Sequence, residues 1–392
     1  MDKRRFALLS WSHFSNDIYG NTLTSLLPFL IPALGISLPM AGLLVATYQM
    51  TSSIVQPVLG HLADRFGTRL FSSVGTVAVA VAASSIGLAP GYVLLLALVA
   101  VHGLGTATFH PQSAAMVNSL AGRRRGTVMS VYITAGNAGF ALGPMIVVPV
   151  VTALGLRATP LLAVPGLISA FLLALYAPRN WLQPRSGPRT PLWQVLARKR
   201  AALASLLGVA TFRSVTMFAF MAFLPLLFQS RGYPPTLWAA LVTFFLLSGT
   251  VGGLLGGYLS DQIGRKWVIA GSLVMAVPLL LAMVRAEDAG LWVATFLAGA
   301  TIMASFSVLT VKAQEMLPEN VGMASGLILG FGMGVGGLGI WPASLLAERI
   351  GLFEVMNLVA LLPIPAALVA LTLPEGPRGR AQEGALRGQV DG

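Results

Sequence analysis

Gly60-His-Leu-Ala-Asp64-Arg65-Phe-Gly67-Thr-Arg69 closes one long apolar run of this chain, and Gly257-Tyr-Leu-Ser-Asp261-Gln-Ile-Gly264-Arg265-Lys266 closes another. The two stretches align at an offset of 197, with glycine, aspartate, glycine and a base in register. Each follows the second apolar run in a set of six. A turn repeated at half the chain length marks two tandem halves. Tandem sets of six apolar runs are one way a membrane bundle is built.

Composition agrees. Apolar residues make up 56% of the 392 and charged residues 10%, against about 25% charged in soluble domains. Such a chain cannot cover itself with a hydrated surface, so lipid is the solvent for much of it. A crossing takes about 20 apolar residues. Apolar runs lie at 6–34, 39–62, 70–89, 91–120, 126–153, 158–177, 203–229, 236–260, 267–284, 291–311, 322–347 and 355–373. They predict an all-α membrane protein of twelve transmembrane helices. The basic start, Met1 to Arg5, leads into the first run with no small-residue cleavage site, which predicts a retained helix rather than a signal peptide.

Lysine and arginine in the loops set the orientation. With the N-terminus inside, twenty of the 25 basic residues fall on the cytoplasmic side, four on the other, and Arg213 lies inside a run. This predicts a multi-pass protein of a bacterial inner membrane with both termini cytoplasmic. The stretch 178–202 has four prolines, six basic residues and no acid. It divides the chain into an N-terminal six-helix bundle over 1–178, a basic linker over 179–202 and a C-terminal bundle over 203–374. The polar, Gly/Arg-rich tail over 375–392 has the composition of a disordered segment.

The net charge of +12 does not point to nucleic acid, because the bases recur in short loops with no basic face or interleaved aromatics. The chain has no cysteine, which excludes disulfides, thiolate metal sites and cysteine nucleophiles. It has no Walker A loop, HExxH or GxSxG motif. Gly332-x-Gly334-x-x-Gly337 matches a dinucleotide fingerprint, but no strand precedes it and it lies in an apolar run. Close helix packing explains it better. No cofactor and no metal are expected, and no enzymatic activity. The expected partners are a small-molecule substrate, protons and the lipid bilayer, with the protein acting as a monomer.

The pattern G-x-x-x-D-x-x-G-x-[RK], present twice at the same place in each half, resembles the major facilitator superfamily signature. The resemblance implies the major facilitator fold, two pseudo-symmetric six-helix bundles. It implies a gating role for Gly60, Asp64, Arg65, Gly67 and Arg69, and for Gly257, Asp261, Gly264 and Arg265. Thr68 departs from the usual base. Four further stretches resemble the fosmidomycin-resistance type of efflux protein: Ser12-His13-Phe-Ser-Asn16-Asp17, Gly105-Thr-Ala-Thr-Phe109-His110-Pro111-Gln112-Ser113, Gly136-Asn137-Ala-Gly139, and Ala313-Gln314-Glu315-Met-Leu-Pro318. This likeness covers most of the chain and implies proton-driven export of a small antibiotic, a phosphonate in the type member. Gln112 stands where the resemblance leads one to expect an acid. Gly139-Phe-Ala-Leu-Gly143-Pro144 resembles the core of the antiporter signature, which adds these three residues to the gating set.

A charge inside a span is a functional candidate by default. Asp17 lies roughly 16 Å into the first helix, at 1.5 Å per residue, and Arg213 lies similarly deep in the seventh. Their offset of 196 nearly equals that of the repeated turn. They are pseudo-equivalent, and the expectation is that they oppose or pair across a central cavity. Arg213 suits an anionic substrate, because its fork holds a phosphonate or carboxylate with two hydrogen bonds. Asp17, His110 and Glu315 are the proton-coupling candidates. His110 precedes a proline that frees a carbonyl and kinks its helix. His13, Asn16, Gln49, Asn137 and Gln314 join Arg213 as substrate-binding candidates, with helix packing as the alternative for the amides. His102 reads as structural. Lys312 and Glu315 also read as a surface pair. The function these readings support is proton-coupled export of a small anionic, drug-like molecule by alternating access. The alternative is proton-coupled uptake of an organic or phosphorylated anion, since a proton that neutralises Asp17 and frees Arg213 helps an anion to bind.

Overall fold

The computed structural model describes residues 2–56, 58–59, 70–121, 125–178, 199–317, 324 and 327–374. The first copy of the repeated turn (Gly60, Asp64, Arg65, Gly67 and Arg69), most of the linker and the tail lie outside these residues.

Helix α1 (Lys3–Ile18) begins at Asp2, whose carboxylate accepts from the backbone N–H groups of Arg4 and Arg5 at 3.1 Å each. This satisfies two of the donors that every helix start leaves open. A 3₁₀ turn, Tyr19–Asn21, interrupts the pass two residues after Asp17, and α2 (Thr22–Leu34) continues it. The interruption is pinned from outside. The Tyr19 hydroxyl donates to the Leu162 carbonyl at 2.6 Å, and the Asn21 amide donates to the Phe140 carbonyl at 2.6 Å. The second pass, α3 (Leu38–Gln49), starts on a Ser37 cap and runs into a π turn, Met50–Ile54.

The first half continues with α4 (Leu70–Ser85), α5 (Tyr92–Leu120), α6 (Arg125–Leu154) and α7 (Ala163–Tyr176). The second half contains α8 (Arg200–Ser230), α9 (Pro235–Ile263), α10 (Arg265–Arg285), α11 (Asp288–Met316), α12 (Met333–Leu338), α13 (Ile340–Ile350), α14 (Leu352–Leu361) and α15 (Pro363–Ala370). Among the described residues ten helical stretches are long and apolar enough to cross a membrane. Two further passes, α1–α2 and α3 with its π turn, are interrupted and fall outside those ten. No strand occurs among the described residues. Large apolar side chains face outward, with Val93 83% and Leu254 72% exposed. A surface of that kind is stable against lipid, not water.

The halves meet along three seams. Helix α6 packs on α9, α3 on α12 and α13, and α2 on α8. Two glycines of the fingerprint over 332–337 belong to the second seam: a Cβ on Gly334 would lie 2.9 Å from Ile54, and one on Gly337 would collide with the Gln49 side chain. Gly332 packs within the second half, where a Cβ would lie 2.8 Å from the Ala210 Cβ of α8. Packing is thus the role of these glycines. Gly139 and Gly143 of α6 pack within the first half instead. A Cβ at 139 would strike the Phe14 carbonyl, and one at 143 would lie 2.6 Å from the Ile18 carbonyl. They bring α6 against the helix that carries Asp17.

Candidate functional site

Asp17 sits between two imidazoles. His13, one turn earlier on α1, places Nε2 3.2 Å from Asp17 Oδ2. His110, on α5, places Nε2 3.0 Å from Asp17 Oδ1. The other ring nitrogens are fixed. His13 Nδ1 lies 2.9 Å from the Tyr132 carbonyl, and His110 Nδ1 lies 3.0 Å from the Thr106 carbonyl. A carbonyl only accepts, so both Nδ1 atoms carry hydrogen and donate. Each Nε2 is therefore the atom that gains or loses a proton, and both face the same carboxylate. The donor atoms of the three residues lie within 4.8 Å of one another, a spacing a metal ion also uses. The hydrogen bonds among them account for the arrangement on their own.

Helix α6 closes the back of this triad. The Tyr132 ring stacks on His13 at 4.1 Å and 19°. Its hydroxyl lies 2.6 Å from Ser113 Oγ, three residues past His110. One turn further along α6, Gly136 lies so close that a Cβ there would be 2.5 Å from His13 Nε2 and 2.7 Å from Asp17 Oδ2. The carboxylate and His13 rest on bare backbone. On the open side, the His110 side chain is 28% and the Asp17 side chain 15% exposed.

Arg213 does not pair with Asp17, contrary to the expectation from their pseudo-equivalence. It lies on α8, only 2% exposed, among groups of the second half. Its Nη2 donates to Ser214 Oγ at 3.2 Å, and Nη1 faces the Met217 and Met303 sulfurs at 3.7 and 3.8 Å. The guanidinium covers the Phe306 ring at 4.7 Å. Its Nε has no hydrogen-bond partner and the group has no carboxylate partner among the described residues. A ring and two thioethers are soft neighbours for a cation, but they do not neutralise it.

Glu315 is also placed apart from the triad. It accepts from Arg265 Nε at 3.1 Å, and Arg265 Nη1 pairs with Asp261 Oδ1 at 2.6 Å. The turn that allows this passes through Gly264 at φ 100°, a conformation that side chains resist. Arg265 is thus the hub of the second repeated turn, and Glu315 is its anchor on α11. Lys312, expected as a surface partner of Glu315, is buried. Nothing among the described residues approaches the Cα of Gly257.

Of the amide candidates, Asn16 is buried beside the triad with Oδ1 unpartnered among the described residues. Gln49 lies in the seam against Gly337, Asn137 is exposed and Gln314 is half-buried. Gln112 is buried with both amide atoms unpartnered, and His102 is buried with both ring nitrogens unpartnered, among the described residues. Sequence reasoning missed Tyr132, Gly136, Met303 and Phe306. The signal for Gly136 was present, since it opens the Gly136-Asn137-Ala-Gly139 stretch already singled out. Phe306 carried none.

A two-half helical bundle in lipid, with a buried charge at the matching position of each half, has the build of a membrane carrier. The chain belongs to the Major Facilitator Superfamily, which it matches over residues 9–340 and again over 211–388. It is a transporter, not an enzyme. It is 29% identical over 380 residues to the fosmidomycin resistance protein of Escherichia coli (strain K12), covering 94% of this chain and 92% of that one. It is also 29% identical over 379 residues to the uncharacterized MFS-type transporter YfnC of Bacillus subtilis (strain 168), covering 92% and 90%. Among solved structures, a point mutant of the nucleoside transporter NupG superposes with a TM-score of 0.79 at 14% identity, covering 93% of this chain and 98% of that one. A bacterial homologue of the human lysosomal transporter Spinster, inward-facing and occupied, gives 0.74 at 15% identity, covering 94% and 96%. These likenesses carry the fold.

Proposed function

We propose that the chain is a proton-coupled secondary transporter of a bacterial inner membrane, with both termini cytoplasmic, that exports a small anionic, drug-like molecule such as a phosphonate antibiotic. The observation that carries this reading is the division of labour between the halves. The second half holds a buried arginine with no carboxylate partner among the described residues, and a desolvated cation of that kind gains most from an anion. The first half holds a carboxylate between two imidazoles, a group built to take up and release protons. The name of the Escherichia coli relative, a fosmidomycin resistance protein, points to a small antibiotic as the cargo.

Uptake remains the second reading, and the triad favours it on one count. With both Nε2···Oδ contacts protonated, the triad carries one net positive charge, which helps an anion to bind. Radiolabelled fosmidomycin in proteoliposomes, under pH gradients of both signs, separates the two. Export predicts that substrate moves against the proton, uptake that it moves with it. Asp17→Asn is expected to keep substrate–substrate exchange and lose gradient-driven flux, because a carrier driven by protons needs a group that exchanges them on both sides in turn. Full gradient-driven flux in Asp17→Asn would remove the triad from the coupling mechanism.

A further inference from the structure

The triad is not symmetric, and its asymmetry assigns the proton. We propose that His110 is the member that releases the proton, and that Tyr132 and Gly136 are positioning residues that keep His13 on Asp17 while it does so. This rests on the proton-coupled reading above.

The argument is a count of hydrogens. Both Nδ1 atoms are committed to carbonyls, so two protons are needed to make both Nε2···Oδ contacts hydrogen bonds. When one leaves, a bare nitrogen faces a bare carboxylate oxygen, and one contact must open.

Geometry decides which. His13 shares a helix with Asp17 at i, i+4, so the backbone holds that contact at 3.2 Å. Its ring is 9% exposed, bonded through Nδ1 to Tyr132, stacked on the Tyr132 ring and floored by Gly136. His110 belongs to another helix, is 28% exposed, and stands immediately before Pro111. A helix is weakened at proline, because the ring displaces a carbonyl from its usual bond. The exposed contact between two helices opens, and the buried contact within one helix stays.

The step moves one proton and breaks no other bond. The His110 Nε2–H proton passes to water on the exposed side of the ring. His110 is left neutral with its Nδ1–H still on Thr106, and Asp17 remains a carboxylate held by the His13 imidazolium. The triad goes from one net positive charge to none, and the tie between α1 and α5 is released. Among the described residues no other charge near the triad competes for this role. Helix α4 brings no titratable side chain, α7 brings only the exposed Tyr176, α6 brings Tyr132, and α3 brings Tyr48; α5 itself also carries the buried His102, two turns before His110 and against the Tyr48 ring. Lys3, Arg4 and Arg5 lie at the far start of α1.

The chain has four histidines, so ¹⁵N-histidine NMR of the whole transporter resolves each one. The expected result is that His110 Nε2 loses its proton at lower pH than His13 Nε2, with both Nδ1 atoms protonated throughout. Gly136→Ala pushes a methyl between His13 and Asp17. It is expected to shift the pH midpoint of gradient-driven fosmidomycin flux by about one unit, and to lower that flux more than it lowers substrate exchange. Tyr132→Leu, which keeps the carbonyl but removes the stacked ring, should shift the midpoint the same way, and serves if Gly136→Ala does not fold. His13 deprotonating first, or an unchanged midpoint in the folded variants, overturns the assignment. Asp17→Asn in the same liposomes distinguishes the levels. If it keeps gradient-driven flux, the triad lies outside the coupling mechanism and the assignment falls with it; the proton-coupled reading itself fails only if the unaltered protein shows no gradient-driven flux, and if Asp17→Asn loses that flux while His13 deprotonates first, only the assignment to His110 fails.

Discussion

Arg213 is the residue on which the proposed preference for an anionic substrate turns. The guanidinium has a ring below it and thioethers at one edge, and no carboxylate partner among the described residues. Arg213→Gln is expected to weaken binding of an anionic substrate by about a hundredfold or more, since hydrogen bonds to charged groups contribute roughly 1.5–3 kcal/mol each. Arg213→Lys should recover only part of this, because an ammonium keeps the charge and loses the fork. Equilibrium binding of fosmidomycin to the purified variants measures both, and wild-type affinity in Arg213→Gln would sink the assignment. Much of the first-half site was legible in the sequence: Asp17 is an acid deep in a span, and His13 lies one turn before it. The pairing of Asp17 with Arg213 was not a sound inference. Pseudo-equivalence places two residues at matching positions in two halves, but a short aspartate reaches only its own neighbours. Those neighbours, His110 and the Gly136 backbone, come from other helices, whose rotation about their axes no spacing reveals.

At the scale of elements, the apolar runs located the long helices well and their interruptions poorly. Leu, Ile and Phe continue through residues 22–34, so hydropathy reads one span where the structure has α1, a 3₁₀ turn and α2. The interruption depends on the Tyr19 and Asn21 side chains finding carbonyls on 156–162 and α6, which is tertiary information. The same limit applies to the glycines. Gly139 and Gly257 both belong to motif-like stretches, yet one touches a neighbouring backbone and the other meets nothing among the described residues. Gly139→Ala should therefore destabilise by about 1–3 kcal/mol, as overpacking does, and lower flux with it, since α6 carries the floor of the triad. Gly257→Ala should be neutral or stabilise by up to about 1 kcal/mol through helix propensity. Thermal unfolding in detergent compares the two. Equal effects would mean that the α1–α6 approach is not the constraint on position 139.

The whole molecule is a pair of halves that the repeated turn announced, but the contacts between the halves are known only from the structure. They include the end of the bundle opposite the start of α1. There the Gln229 amide donates to the Pro28 carbonyl at 3.1 Å, and Phe29 and Trp238 meet with ring centroids 6.0 Å apart. A Cβ on Gly42 would lie 2.6 Å from the Ser344 Cβ. This end is closed between the halves. Alternating access requires it to part once in every cycle, whichever way the substrate travels. The chain has no cysteine of its own, so an introduced pair reports on this one contact. A disulfide needs Cβ atoms about 3.8 Å apart, and a small separation of α3 from α13 brings Gly42→Cys and Ser344→Cys to that distance. Oxidation of the double variant is expected to stop fosmidomycin flux under pH gradients of both signs, and reductant should restore it. Each single variant should be insensitive to oxidant. Full flux through the cross-linked protein would mean that this end does not open at α3 and α13, and that the halves move about some other seam.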